Sequence, residues 1–143
     1  MYDNPWTFEG SVFTEEHIGE YFGFVYMITN LNTMRKYIGR KYFYTIRKQK
    51  GKSRRVRKMS DWMDYYGSSD ELNEDIQHSE KKFFKRQIIS LHKTKGDVNY
   101  NEVKEQFLNN VLEDSTFYNS NINGKWHTPP DHIIQARKVA WNV

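Results

Sequence analysis

The chain has 143 residues and 17.3 kDa, the size of one domain. Its 37% hydrophobic and 16% aromatic residues supply a core despite a mean hydropathy of -0.91. It has no cysteine, which excludes a disulfide scaffold, a thiol nucleophile and cysteine-rich zinc sites, and its formal net charge is a modest +4. The longest apolar run, residues 22–28, is too short to span a membrane, and Asp3 and Glu9 fit no secretory leader; a soluble, cytoplasmic protein is expected.

Residues 1–20 read as an N-terminal arm with a short helical turn around residues 14–21. The β-forming run 22–28 ends in the turn-like Thr29-Asn30-Leu31-Asn32, and Lys36-Tyr37-Ile38-Gly39 returns as the second strand of an antiparallel hairpin. The segment 40–58 reads as a basic insertion, either a long loop or the start of a helix. Ser68-Ser69-Asp70-Glu71 opens a helix, with Ser68 as cap and Glu71 reaching back, and Leu72 and Ile76 share its buried face.

Residues 83–91 form a third strand centred on Ile88 and Ile89. A second helix is predicted over 101–112, where Val103, Phe107 and Val111 repeat at helical spacing. An Asn-rich loop covers 118–124. The C-terminal tail, 124–143, contains a helix opened by Pro129-Pro130 and carrying Ile133, Ile134 and Val139. The expected fold is α+β, a small central antiparallel three-stranded sheet flanked by helices, with the main domain over 21–123.

The charge is concentrated. Arg40, Lys41, Arg47, Lys48, Lys50, Lys52, Arg54, Arg55, Arg57 and Lys58 lie in nineteen residues without an Asp or Glu. Removing those ten from the 22 lysines and arginines leaves 12 basic against 18 acidic residues elsewhere. Such a block repels itself and favours a polyanion beside it, so nucleic-acid contact is expected through these side chains.

Two tyrosines stand near each other on the hairpin. Tyr26 closes Phe24-Val25-Tyr26 and Tyr37 opens Tyr37-Ile38-Gly39, with ten residues between the triplets. The pattern resembles the GIY-YIG nuclease family, whose name spells two such tripeptides on adjacent strands. The second triplet matches outright; in the first, Phe24 and Val25 replace Gly and Ile. Arg47, ten residues after Tyr37, falls where the family carries a catalytic arginine, although Arg40 or Lys41 can serve instead. Glu102, opening the second predicted helix, matches the family's metal-binding glutamate, and Asn119 matches a late asparagine. The stretch 61–69 is similar to small phage-encoded, homing-type members, which would place the protein in a bacterial host cytoplasm.

The resemblance implies a phosphodiester hydrolase acting on double-stranded DNA with one Mg2+ or Mn2+ ion. A single carboxylate suits an ion that keeps most of its waters. Tyr26 would accept the proton of the attacking water, which requires a depressed pKa, supplied by Lys41, Arg47 or the metal. Tyr37 would touch the phosphate or position the water. Arg47 would neutralise charge on the phosphoryl oxygens, and Asn119 would brace backbone or Glu102. Cutting both strands with one small site takes a homodimer or two successive nicks. The competing reading is a catalytically inactive nucleic-acid-binding module that uses the basic block. His127, Asp131 and His132 form a weaker metal pattern, interrupted by Pro129-Pro130 and better read as structural or exposed. Trp126 and Trp141 read as docking a tail.

Overall fold

The computed structural model describes residues 2–48, 51 and 55–128. In chain order its strands are β1 (Thr7–Phe8), β2 (Ser11–Val12), β3 (Gly23–Asn30), β4 (Lys36–Tyr42), β5 (Tyr44–Lys48), β6 (Arg55–Met59), β7 (Phe84–His92), β8 (Asn121–Ile122) and β9 (Trp126–His127). Helix α1 spans Asp70–Gln77 and α2 spans Lys95–Leu108.

The central sheet is not the expected three-stranded antiparallel one. It has five strands in the order β2-β1-β7-β3-β4, and β1 runs parallel to β7. The difference comes from the first twenty residues, which are not a free arm. Trp6 is fully buried, packs edge-on against Phe24 and Tyr26 at 4.9 and 5.0 Å, and donates its indole N–H to the Trp62 carbonyl at 2.7 Å. This anchoring lays β1 along the free edge of β7, which protects that edge from pairing with another chain.

Strand β3 is buried on both faces, as its nearly unbroken apolar run requires. Phe24, Tyr26 and Ile28 face a cluster containing Trp6, Phe13, Phe43, Trp62 and Leu72, while Val25 meets Ile38, Val111, Phe117 and Ile122 on the other side. Arg86 locks the first cluster. It is 2% exposed, lies between the rings of Trp6 and Tyr66, and donates to the carbonyls of Asn4, Met63 and Tyr65. Burial pulls its pKa down, yet the three carbonyls give every nitrogen of the guanidinium a hydrogen-bond partner.

Among its described residues the basic segment forms strands rather than the expected loop or helix start. β5 and β6 pair with each other alone as an antiparallel two-stranded ribbon. Helix α1 is capped by Ser69 rather than Ser68, its hydroxyl accepting from the Leu72 amide at 3.2 Å, with Leu72 and Ile76 on its buried face.

Helix α2 starts at Lys95 instead of Asn101 because Thr94 caps it, accepting from the Asp97 amide at 3.1 Å. Its buried face is therefore Val98, Glu102 and Gln106, and Phe107 is 46% exposed. Asp97 also meets His92 Nδ1 at 2.6 Å, and His92 Nε2 meets Ser90 at 2.7 Å, which fixes the start of α2 to β7. The Asn-rich segment closes as the small β8–β9 ribbon. Trp126 packs edge-on against Phe107. The terminal helix, with Ile133, Ile134, Val139 and Trp141, and the residues Asp131 and His132 lie outside the described residues.

If the N-terminal segment is core, Trp6→Ala should cost about 3–5 kcal/mol in chemical denaturation. A loss below about 1 kcal/mol would return residues 1–20 to the status of an arm.

Candidate active site

Register brings the tyrosines together. In the β3–β4 pair Tyr26 lies opposite Gly39 and Ile28 opposite Tyr37, so Tyr26 and Tyr37 are diagonal neighbours on one face. Their ring centroids are 6.2 Å apart. The β3–β7 register shifts between Val25 and Tyr26, a bulge that re-aims the chain at this tyrosine.

The glycine of Tyr37-Ile38-Gly39 has a steric reason. A Cβ there would stand 2.5 Å from the Tyr26 hydroxyl and 2.9 Å from Tyr37 Cε2. The Tyr26 ring lies across backbone that no other residue leaves open.

Strand β4 is the sheet edge, and its alternation splits the site across that edge. Tyr37, Gly39 and Lys41 belong to the tyrosine face; Ile38, Arg40 and Tyr42 belong to the face covered by α2. There Arg40 donates to Glu102 Oε1 at 2.5 Å and, through Nε, to the Tyr42 hydroxyl at 3.2 Å. Tyr42 in turn donates to Asn99. Lys41 pairs with Asp61 at 2.6 Å and sits 4.0 Å from the Tyr65 ring centre.

Tyr26, Tyr37, Arg40, Lys41, Tyr65 and Glu102 line one cleft of about 280 Å³. It adjoins a larger polar cavity of about 580 Å³, which shares Tyr37, Arg40, Ser68 and Glu102 with it and reaches Asn119.

Asn119 braces β4. Its amide accepts from the Ile38 N–H at 3.1 Å and donates to the Ile38 carbonyl at 2.8 Å, and Gln106 donates to that carbonyl at 2.9 Å. The residue between Tyr37 and Gly39 is thus held from two elements. Tyr37 itself shares a hydrogen bond with Ser68 at 3.0 Å.

Arg47 is not in the cleft; it is exposed on β5, opposite Val56. The arginine beside Glu102 is Arg40, drawn there because α2 packs on its face of β4. Glu102 sits mid-helix, not at a helix start. Arg57 lies over the Tyr44 ring at 4.0 Å, and Lys58 is exposed. Lys48 and Arg55 pair across the ribbon, while Lys50, Lys52 and Arg54 lie outside the described residues.

Tyr42, Tyr65 and Gln106 join the site without a role expected from the sequence, and Ser68, expected as a helix cap, bonds Tyr37 instead. The available signal was the spacing Val98, Glu102, Gln106, a helical stripe that places a carboxylate and a carboxamide in line with a buried valine.

The electrostatics differ from the expected depressed tyrosine. Burial, then the neighbouring Tyr37 and Tyr65, raises the Tyr26 pKa well above its ordinary value, the opposite of the expected depression. Burial likewise raises Tyr37, partly offset by its bond to Ser68. Glu102 is raised by burial, which outweighs the opposing pull of Arg40. For Arg40 burial acts downward, but the Glu102 charge and hydrogen bond leave its pKa raised.

Among the described residues no three of His, Cys, Asp and Glu cluster as a metal cage. Glu102 is the one carboxylate lining the smaller cleft, and although Arg40 bonds its Oε1 it is the side chain there that could hold a divalent ion keeping most of its waters.

A family model described as "Putative endonuclease segE, GIY-YIG domain" matches residues 6–122. The chain belongs to this GIY-YIG endonuclease family. No curated protein and no solved structure matches it significantly. The GIY-YIG match begins at Trp6 and ends at Ile122, both buried, so it takes in the N-terminal strands as well as the hairpin and α2. A GIY-YIG endonuclease domain implies a nucleic-acid substrate, and no described helix is long and apolar enough to cross a membrane.

Because folding raises both phenol pKa values, their stabilisation is complete below the unfolded value near 10 and is lost as pH rises through the folded values. The combined Tyr26→Phe and Tyr37→Phe variant should therefore unfold with a flatter pH dependence above about pH 10 than the parent. Equal slopes would place both phenols in solvent. Gly39→Ala should cost about 1–3 kcal/mol by overpacking the Tyr26 ring, read as a lowered melting temperature.

Proposed function

We propose that the protein is a metal-dependent endonuclease that hydrolyses phosphodiester bonds of double-stranded DNA. The observation that carries this reading is the meeting of two phenols, a guanidinium and a single carboxylate in one cleft of a GIY-YIG domain.

Phosphodiester hydrolysis needs a placed water, a proton acceptor and positive charge at the phosphoryl oxygens. Tyr26 is the group placed to take the water's proton, and its burial keeps it a phenol until positive charge enters the cleft. Tyr37, turned to Ser68, positions the phosphate or the water. Arg40, not Arg47, takes the arginine role, since its planar fork can turn from Glu102 to a phosphate. Lys41 adds a second cation, and Asn119 holds the strand at Ile38, between Tyr37 and Gly39. Glu102 would hold the ion, which when bound polarises the scissile phosphate and brings positive charge beside the phenols.

The Arg40–Glu102 ion pair favours a second reading, a binding module whose carboxylate is already occupied. Supercoiled plasmid separates the two. Magnesium should yield nicked or linear product and EDTA none; band shifts alone would establish the binding module.

Glu102→Gln should abolish cutting while duplex binding stays within about twofold, and Tyr26→Phe should lower kcat about 10²–10⁴-fold with unchanged melting. Since Glu102 must be ionised to hold the ion and burial raises its pKa, the acid limb of cleavage should move to higher pH as magnesium is lowered. A limb that ignores the magnesium concentration would remove Glu102 from the metal site.

A further inference from the structure

The β5–β6 ribbon is attached to the cleft at its base. Tyr44, Thr45 and Ser60 line that cleft, Phe43 is fully buried, and Ser60 is tied by hydrogen bonds to Phe43 and Tyr42. Beyond this anchor no third strand pairs with the ribbon, among the described residues.

Its composition is specific. Across the register Arg47 stands opposite Val56, so an arginine and a β-branched aliphatic residue share one face, while on the other face Arg57, opposite Ile46, lies over the Tyr44 ring. Ile46 and Val56 are 48% and 38% exposed. Phosphate contact alone would need the charges but not the aliphatic side chains, and self-association would be opposed by the charges. Arginine beside an aliphatic group is the chemistry that reads base edges: a guanidinium for guanine O6 and N7, a methyl surface for the thymine methyl. The major groove of B-form DNA admits a two-stranded β-ribbon, whereas that of A-form RNA is too deep and narrow to be read. Arg47 lies two residues, about 7 Å of strand, beyond the cleft-lining Thr45.

We propose that the β5–β6 ribbon enters the major groove of B-form duplex DNA beside the scissile phosphate, with Arg47 and Val56, which share one face, reading base edges within a few base pairs of the cut. The inference rests on the nuclease reading for the position of the cut, but not for the mode of binding. It makes Arg47 a specificity residue.

Methylation interference with the full-length Glu102→Gln variant in EDTA tests the groove without cleavage. Interference should occur at guanine N7, in the major groove, and not at adenine N3, in the minor groove. A DNA duplex should bind at least about tenfold more tightly than an RNA duplex of the same sequence. Arg47→Lys keeps the charge and loses the fork. With its melting temperature and the salt dependence of binding unchanged, it should lose the N7 interference and, in the Glu102-containing protein, relax cut-site selection about tenfold. Interference at adenine N3, equal affinity for duplex RNA, or an Arg47→Lys footprint and cut-site map identical to the parent's would overturn the proposal. If magnesium yields no cutting, the nuclease reading fails, while the interference pattern still decides the ribbon.

Discussion

The site depends on a place where no side chain stands. Tyr26 lies across Gly39 so closely that a single methyl group would fall 2.5 Å from its hydroxyl. Only this contact lets a buried phenol of the central strand reach the edge strand's cleft and meet Tyr37. Everything else in the site is arranged around that crossing: the bulge in β3 at Tyr26, the carboxamides of Asn119 and Gln106 on Ile38, and the bond from Ser68 to Tyr37. A close approach of this kind tolerates little movement, because packed interiors yield by rearranging neighbours rather than by stretching.

Two further constraints hold the crossing. Behind the sheet, Arg86 gathers carbonyls from the N-terminal segment and from the loop after Trp62, so the wall behind Tyr26 is tied by a buried cation. In front, α2 presses Glu102 onto Arg40 from the opposite face of β4. The cleft thus joins groups from both faces of a sheet at its open edge. Burial that raises both phenols also raises Glu102, whose charge is answered by Arg40.

Much of this was legible in the sequence. The hairpin, the pairing of Tyr26 with Tyr37 and the buried face of α1 follow from alternation and helical spacing, which are local. Glu102 and Asn119 were found through resemblance rather than through chemistry of their own. The N-terminal strands were missed because two-residue strands carry no periodic signal; they form only when Trp6 finds its place in the core. The start of α2 was missed because its apolar stripe was read on Val103 and Phe107, whereas the sheet covers Val98, Glu102 and Gln106.

By itself the sequence determined the α+β class, the two phenols on adjoining strands and the confinement of excess positive charge to nineteen residues. Those properties depend on neighbours along the chain. It did not determine which of ten basic residues faces the carboxylate, since ten cations in a row look alike from within one segment. The tertiary structure decided that by bringing Glu102 of α2 against β4, across 62 residues of chain, onto Arg40. The same folding sent Arg47 out along the β5–β6 ribbon, with which no other strand pairs among the described residues.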